Sequence, residues 1–164
     1  MAACLAATVV SSPPARAQEP IDFLGFRPGG SRAATEQAVR RARGEWSCRG
    51  STVDPRFTEC LGRIAPPGEP PLTLTASLIH DTVAVLLLSG PVAERDLQRW
   101  RNALDERIGP ATVRRSQGQT VWQWVRARRM VRITTHAGGG TLMASVSLVD
   151  GPLLDGLGEP RPRQ

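Results

Sequence analysis

The chain has 164 residues, 40% of them hydrophobic and 4% aromatic, which suits one domain with a buried core and excludes a wholly disordered chain. Its 21 basic residues, all of them Arg, outnumber the 15 acidic ones, but acids alternate with them along most of the chain. This pattern indicates that the arginine content reflects the base composition of the genome rather than a dedicated polyanion-binding site. No apolar run reaches the roughly 18 residues of a transmembrane helix.

The first 17 residues predict a removable secretion signal. An apolar stretch at residues 2–10 precedes Ala15-Arg16-Ala17, whose small outer residues are typical of a signal-peptidase site. No basic residue precedes the apolar stretch, and a start codon placed too late explains this. We therefore expect a protein exported to the periplasm or the extracellular space. The alternative is a lipoprotein anchored through Cys4, because residues 1–4 resemble the end of a lipobox.

The mature domain is predicted to span residues 18–157, followed by a disordered tail at 158–164. Its lead-in contains a candidate short strand at residues 21–26. A helix is predicted over residues 32–43, where the Ser31 hydroxyl has the right chemistry to accept a hydrogen bond from the first turn.

Two cysteines, Cys48 and Cys60, remain after removal of the signal. An even count in an oxidising compartment indicates a disulfide, and the turn-forming stretch between the two cysteines allows them to approach. A redox pair would need only two intervening residues. A zinc site with His80 and His136 would need a spacing that this chain lacks. We expect the disulfide, with no metal and no cofactor.

A proline-rich connector at residues 65–71 precedes the clearest β pattern in the chain. Strands are predicted at 72–79 and 82–88, joined by a two-residue loop. That loop pairs residue 79 with residue 82 and places Ala76 opposite Val85, so that one face of the hairpin is apolar.

The second half of the chain begins with a predicted helix after Pro91, treated as a first-turn proline. One apolar stripe runs along this helix, and its members are Leu97, Trp100, Leu104 and Ile108. A β-meander is then predicted, with strands at 119–126, 130–136 and 141–149, whose apolar face packs against the stripe. A two-residue loop at 128–129 is expected to place Trp124 opposite Ile133.

The predicted fold class is α+β, with two helices packed on one side of an antiparallel meander sheet. The two halves also read as rough copies, each sheet opening with a tryptophan (Trp46 and Trp122). A glycine-rich lead-in (25–29), a small-residue helix and antiparallel strands resemble the small bacterial envelope domains of the SmpA/OmlA and β-lactamase-inhibitor-protein type. The resemblance implies envelope scaffolding and protein binding, and it carries no catalytic residue over.

Catalytic patterns are weak in this sequence. Neither His80, in a tight turn, nor His136, at a strand end, accompanies a nucleophile turn. The paired carboxylates of the second helix alternate with arginines, as a solvated helix face does. We therefore expect a non-enzymatic binding or scaffold domain of the cell envelope. The alternative is a hydrolase-like enzyme whose site is not visible as a motif.

Arginines and tryptophans cluster near the C-terminal half of the sheet. Trp122 and Trp124 are predicted to lie in the core. The alternative is that alternating Trp and Arg bind single-stranded nucleic acid or glycans by stacking and charge. An exposed basic edge is predicted as a candidate anion-binding site, and its members are Arg114, Arg115, Arg128, Arg129 and Arg132. The expected partner is an envelope protein, an anionic polymer or a lipid surface. Nucleic acid is not expected, because the protein is exported.

Overall fold

The structure of the protein is a computed structural model that describes residues 20–138 and 140–157. The predicted signal (1–17), the alternative lipidation site at Cys4 and the predicted tail (158–164) lie outside the described residues. The elements in chain order are α1 (Arg32–Arg41), β1 (Glu45–Gly50), β2 (Phe57–Ile64), β3 (Leu72–Ile79), β4 (Thr82–Pro91), α2 (Glu94–Ile108), β5 (Thr112–Ser116), β6 (Gln119–Arg126), β7 (Arg129–Gly138), β8 (Thr141–Asp150) and α3 (Gly151–Asp155).

The eight strands form one antiparallel sheet in the order β1-β2-β3-β4-β8-β7-β6-β5. Each half of the chain contributes four consecutive strands, and the halves meet where β4 pairs with β8. The predicted α+β class with an antiparallel sheet is confirmed. No helix in the described part of the chain is long and apolar enough to cross a membrane.

The first helix begins where the sequence predicts. The Ser31 hydroxyl accepts a hydrogen bond from the Ala34 N–H at 3.2 Å, and Ala38 and Val39 are buried. The lead-in, by contrast, is not a strand. Phe23 and Phe26 form only an isolated bridge around a turn whose central residues have φ values of 52° and 82°. Burial of both phenylalanines, rather than strand pairing, holds this segment.

The hairpin of β3 and β4 has the predicted turn but not the predicted register. Ile79 pairs with Thr82 across two residues with positive φ, as a two-residue hairpin loop requires. The register then shifts by one residue at a bulge, so Ala76 faces Leu86 rather than Val85. The bulge rotates Leu86 and Leu88 onto the buried side, where both are fully buried.

The second helix begins at Glu94, because Pro91 ends β4 instead of opening the helix. Leu97, Trp100 and Leu104 are buried as predicted. The Trp100 ring packs edge-to-face on Phe23 with centroids 5.2 Å apart. Its indole N–H donates to Oε2 of Glu69 at 2.7 Å, so the helix also anchors the proline-rich connector.

The structure has one more strand than the predicted meander, and the pairing of the strands differs from the predicted register by two residues. The sequence did not predict β5, a short edge strand whose residues are all exposed. Trp124 faces Val131 rather than Ile133, because the turn consists of Ala127 and Arg128. A shift of two residues keeps every side chain on its predicted face.

The predicted disulfide joins Cys48 and Cys60, which are direct neighbours on β1 and β2. It closes a loop with a sequence separation of 12 residues. In the chain-entropy account, a loop of this size contributes about 3 kcal/mol by restricting the unfolded chain. The bond fixes the edge strand β1, whose one neighbour among the described strands is β2.

Candidate functional surface

The sheet has two faces that differ in burial. On one face, the inner face, buried residues such as Leu74, Leu88, Ile133 and Val146 share one hydrophobic cluster with the buried residues of α1 and α2. We call the opposite face the open face. Within β5–β8, no open-face residue is buried among those whose side chains are described. Among the described residues, the open face of β5–β8 is thus a surface that no other element covers.

The open face of β5–β8 consists of the even-numbered residues of β5 and β7 and the odd-numbered residues of β6 and β8. We call this surface the cationic half. It carries Arg114 and Arg132, and its described positions include no aspartate or glutamate. The ion pairs between described residues leave out both arginines.

Arg132 lies near the middle of the cationic half. Its Nε and one terminal nitrogen donate to Oε1 of Gln123 at 3.1 and 2.8 Å. Because the acceptor is a neutral amide, the guanidinium is oriented while its charge stays uncompensated. Arg114 lies on the same face, opposite Val121. An oriented, uncompensated guanidinium suits a carboxylate or another anion with two acceptor oxygens.

Apolar and small polar side chains surround these arginines. Met130, Met143 and Val149 are half-buried, and Val125 is 59% exposed. The remaining positions of the cationic half are mainly Ser, Thr and Gln, which offer hydrogen bonds without adding charge. Methionine and arginine are enriched in protein–protein interfaces, whereas aspartate and glutamate are depleted. The surface resembles such an interface in its methionine and arginine content and in the lack of aspartate and glutamate among its described positions.

The other half of the open face is close to neutral. Glu45 lies opposite Arg63, and Arg49 lies opposite Glu59, so charges of opposite sign are neighbours on β1 and β2. A groove of about 390 Å³ runs beside them, and Leu61 in its lining is 60% exposed. The charge asymmetry of the open face therefore comes from β5–β8.

The five arginines predicted as one basic edge occupy different surroundings. Arg114 and Arg132 share the cationic half, whereas Arg115 lies on the other side of β5. Arg128 pairs with the exposed Asp155, and Arg129 donates to the buried Asp150 at 2.7 Å. Two of the five are thus held by carboxylates of the chain itself, and no single edge collects all five.

The tryptophans of the meander belong to the core, as predicted. Trp122 is 7% exposed and Trp124 is 2% exposed. The Trp124 indole donates to Oδ1 of Asp105 at 2.9 Å, and the guanidinium of Arg101 lies 4.6 Å from the centre of a Trp122 ring. Because both rings lie on the inner face, they cannot form a stacking platform on the open face.

His80 and the titratable groups with shifted pKa values lie in turns and ion pairs. His80 is a turn residue with φ of 47°, and the residues 20–138 and 140–157 contain no group of three or more potential metal ligands. The perturbed groups belong to ion pairs: a hydrogen bond from Arg56 lowers the pKa of Asp54, and one to Glu69 raises the pKa of Arg99. Ion pairing of this kind explains both shifts.

Comparison with known proteins gives no relative: no protein-family model, no curated protein and no solved structure matches the chain.

Gln123, Met130 and Met143 were not among the residues predicted for this surface. The alternation of strand residues contained the signal, because all three share a face with Arg132 once the register is known. The prediction instead grouped arginines by their proximity in the sequence. It therefore joined Arg129, on the inner face, with Arg132, on the open face.

Proposed function

We propose that the chain is an exported, non-enzymatic domain of the cell envelope that binds an acidic protein surface through the cationic half. The observation that carries the proposal is the pair Arg114 and Arg132, uncompensated by any described carboxylate, on a face where no described residue of β5–β8 is buried. Their charges would steer an acidic partner, and the neighbouring methionine and valine side chains would supply apolar contact area. Export agrees with the disulfide Cys48–Cys60.

In the architecture that we propose for this function, α1 and α2 both cover the inner face and leave the open face to the partner. The two halves would be α-β-β-β-β repeats related about the β4–β8 pair, as the strand order suggests. Such a fold would belong with the small envelope domains of the SmpA/OmlA or β-lactamase-inhibitor-protein type. A polysaccharide or a lipid surface would bring anionic groups but would make less use of the apolar side chains.

The proposal predicts the effect of a double substitution, Arg114→Gln with Arg132→Gln. On a column of immobilised poly-L-glutamate, which presents carboxylates on a polypeptide, this variant should elute at lower salt than the parent. Its retention should also depend less steeply on ionic strength, because two charge contacts are lost. Far-UV circular dichroism and the denaturation midpoint should be unchanged, since both side chains lie on the open face.

The matched control is Arg41→Gln with Arg63→Gln, which removes one exposed arginine from α1 and one from the neutral half of the open face. This variant has the same net charge as the test variant and should be retained nearly as well as the parent. Equal losses in both variants would mean that only total charge matters and would contradict the proposal. Stronger retention on heparin or on phosphatidylglycerol vesicles than on poly-L-glutamate would replace the acidic protein by a polysaccharide or a lipid surface.

A further inference from the structure

Among the strands that the structure describes, β1 and β5 form the two edges of the sheet, and each has backbone groups without a partner in the described residues that could accept a further strand. The two edges differ in charge. On β1, Glu45 and Arg49 carry opposite signs and share the open face. On β5, Arg114 and Arg115 place a positive charge on each side of the strand. Edge arginines of this kind discourage pairing, whereas the charges of β1 do not.

Two observations identify the backbone groups that β1 presents to solvent. The Cα atoms of Cys48 and Cys60 are 4.0 Å apart, a spacing of the non-hydrogen-bonded pairs of an antiparallel ladder. In the same register, the Ser51 N–H donates to the Phe57 carbonyl at 2.9 Å. Odd-numbered residues of β1 therefore hydrogen-bond to β2. The N–H and C=O groups of Trp46 and Cys48 point toward the free edge.

We propose that β1 pairs antiparallel with β1 of a second copy of the chain and so forms a symmetric dimer with a continuous sheet. In the register that we propose, Trp46 lies opposite Cys48 of the second copy and exchanges both backbone hydrogen bonds with it. By symmetry, Cys48 does the same with Trp46 of the second copy. Ser47 then lies opposite Ser47 of the second copy at the two-fold axis. Registers displaced by two residues also satisfy backbone groups but do not match the charges.

Charge complementarity selects this register. Glu45 lies opposite Arg49 of the second copy, in a non-hydrogen-bonded pair, where side chains approach most closely. Because Arg63 is the neighbour of Glu45 and Glu59 the neighbour of Arg49 within each chain, signs alternate along the whole row across the interface. Pairing of β5 with β5 of a second copy would instead bring like charges together. Placing Val113 against Arg115 of a second copy would set Arg114 directly opposite Arg114.

The test is a charge exchange followed by sedimentation equilibrium of the oxidised protein at concentrations up to about 1 mM, the range for small interfaces. The parent should form a dimer. Glu45→Arg alone and Arg49→Glu alone should each raise the dissociation constant at least about tenfold, because each sets like charges opposite one another at two symmetric positions. The double variant, E45R with R49E, should dimerise like the parent. An equimolar mixture of the two single variants should form the heterodimer.

A control separates the interface from the fold. Arg63→Glu places a negative charge opposite Glu45 within one chain but leaves the edge of β1 unchanged. This variant should still dimerise. A parent that stays monomeric throughout, single variants that dimerise like the parent, or a double variant that stays monomeric would overturn the proposal. Growth beyond the dimer would also overturn it, because pairing of β1 with β5 produces open-ended chains.

Discussion

Replacing Trp100 by alanine is expected to lower the free energy of unfolding by about 3–5 kcal/mol, the range for large-to-small changes in a core. Trp100 is 3% exposed, packs on Phe23 and donates its indole hydrogen to Glu69. The substitution would therefore open a cavity between α2 and the lead-in and also remove one of the two side chains, Trp100 and Arg99, that donate to the connector carboxylate of Glu69. Urea denaturation followed by circular dichroism measures the loss.

Leu61→Ala provides the comparison for this experiment. Leu61 is a large apolar residue like Trp100, but it is 60% exposed on the open face. Its truncation should cost under about 1 kcal/mol, as surface substitutions do. A Trp100→Ala variant that loses as little as Leu61→Ala would contradict the position of the helix stripe in the core.

Replacing Arg129 by methionine is expected to cost about 2–4 kcal/mol. Its Nε donates to Oδ2 of Asp150, whose side chain is 1% exposed, whereas the Arg129 side chain is 37% exposed. Removing the cation leaves a buried carboxylate without its charged partner, which is the costly way to break such a pair. The exposure of Arg129 keeps the expected cost below the upper range for fully buried pairs.

The surroundings of Asp150 explain why solvent cannot easily replace the lost partner. The carboxylate lies so close to Gly29 that a Cβ there would collide with it, and Oδ1 accepts the Leu153 N–H at 3.0 Å. The neighbouring Arg128 supplies the control. Its pair with Asp155 has both side chains more than 60% exposed, so Arg128→Met should cost under about 1 kcal/mol. Equal losses in the two variants would show that burial of Asp150 does not set the cost.

Much of the secondary structure follows from local patterns in the chain. The cap at Ser31 and the stripe of Leu97, Trp100 and Leu104 locate both long helices, because these signals depend on residues only three or four positions apart. Pairing of Cys48 with Cys60 follows from an even count of cysteines and a short intervening turn. These features need no knowledge of distant contacts.

The incorrect predictions concern features that are determined by contacts between residues distant in the sequence. The turn at Ala127 and Arg128 has positive φ at both residues without an Asn-Gly signal, so its position is set by the pairing of β6 with β7. The bulge between Ser77 and Leu78 has no local marker either. It is favoured because Leu86 and Leu88 gain burial. β5 was missed because an edge strand with every residue exposed lacks the alternation of apolar residues that identifies strands.

The candidate surface could be predicted in part. The sequence identifies a region rich in arginine, but only the register assigns Arg132 to the open face and Arg129 to the buried carboxylate of Asp150. Neighbouring residues of a strand point to opposite faces, so an arginine cluster in the sequence is divided by the sheet. The oriented contact of Arg132 with Gln123 spans two strands and leaves no local trace.

The central claim, that the cationic half is the binding surface, is tested most directly by NMR during titration with poly-L-glutamate. Met130 and Met143 lie on the open face, so their methyl groups report on that face. The described tryptophans, Trp46, Trp100, Trp122 and Trp124, do not share it, so their indole N–H signals report on the other side. The account predicts that both methyl signals shift while the indole signals stay unchanged. Shifts of the indole signals with unchanged methyl signals, or no shift of either, would contradict it.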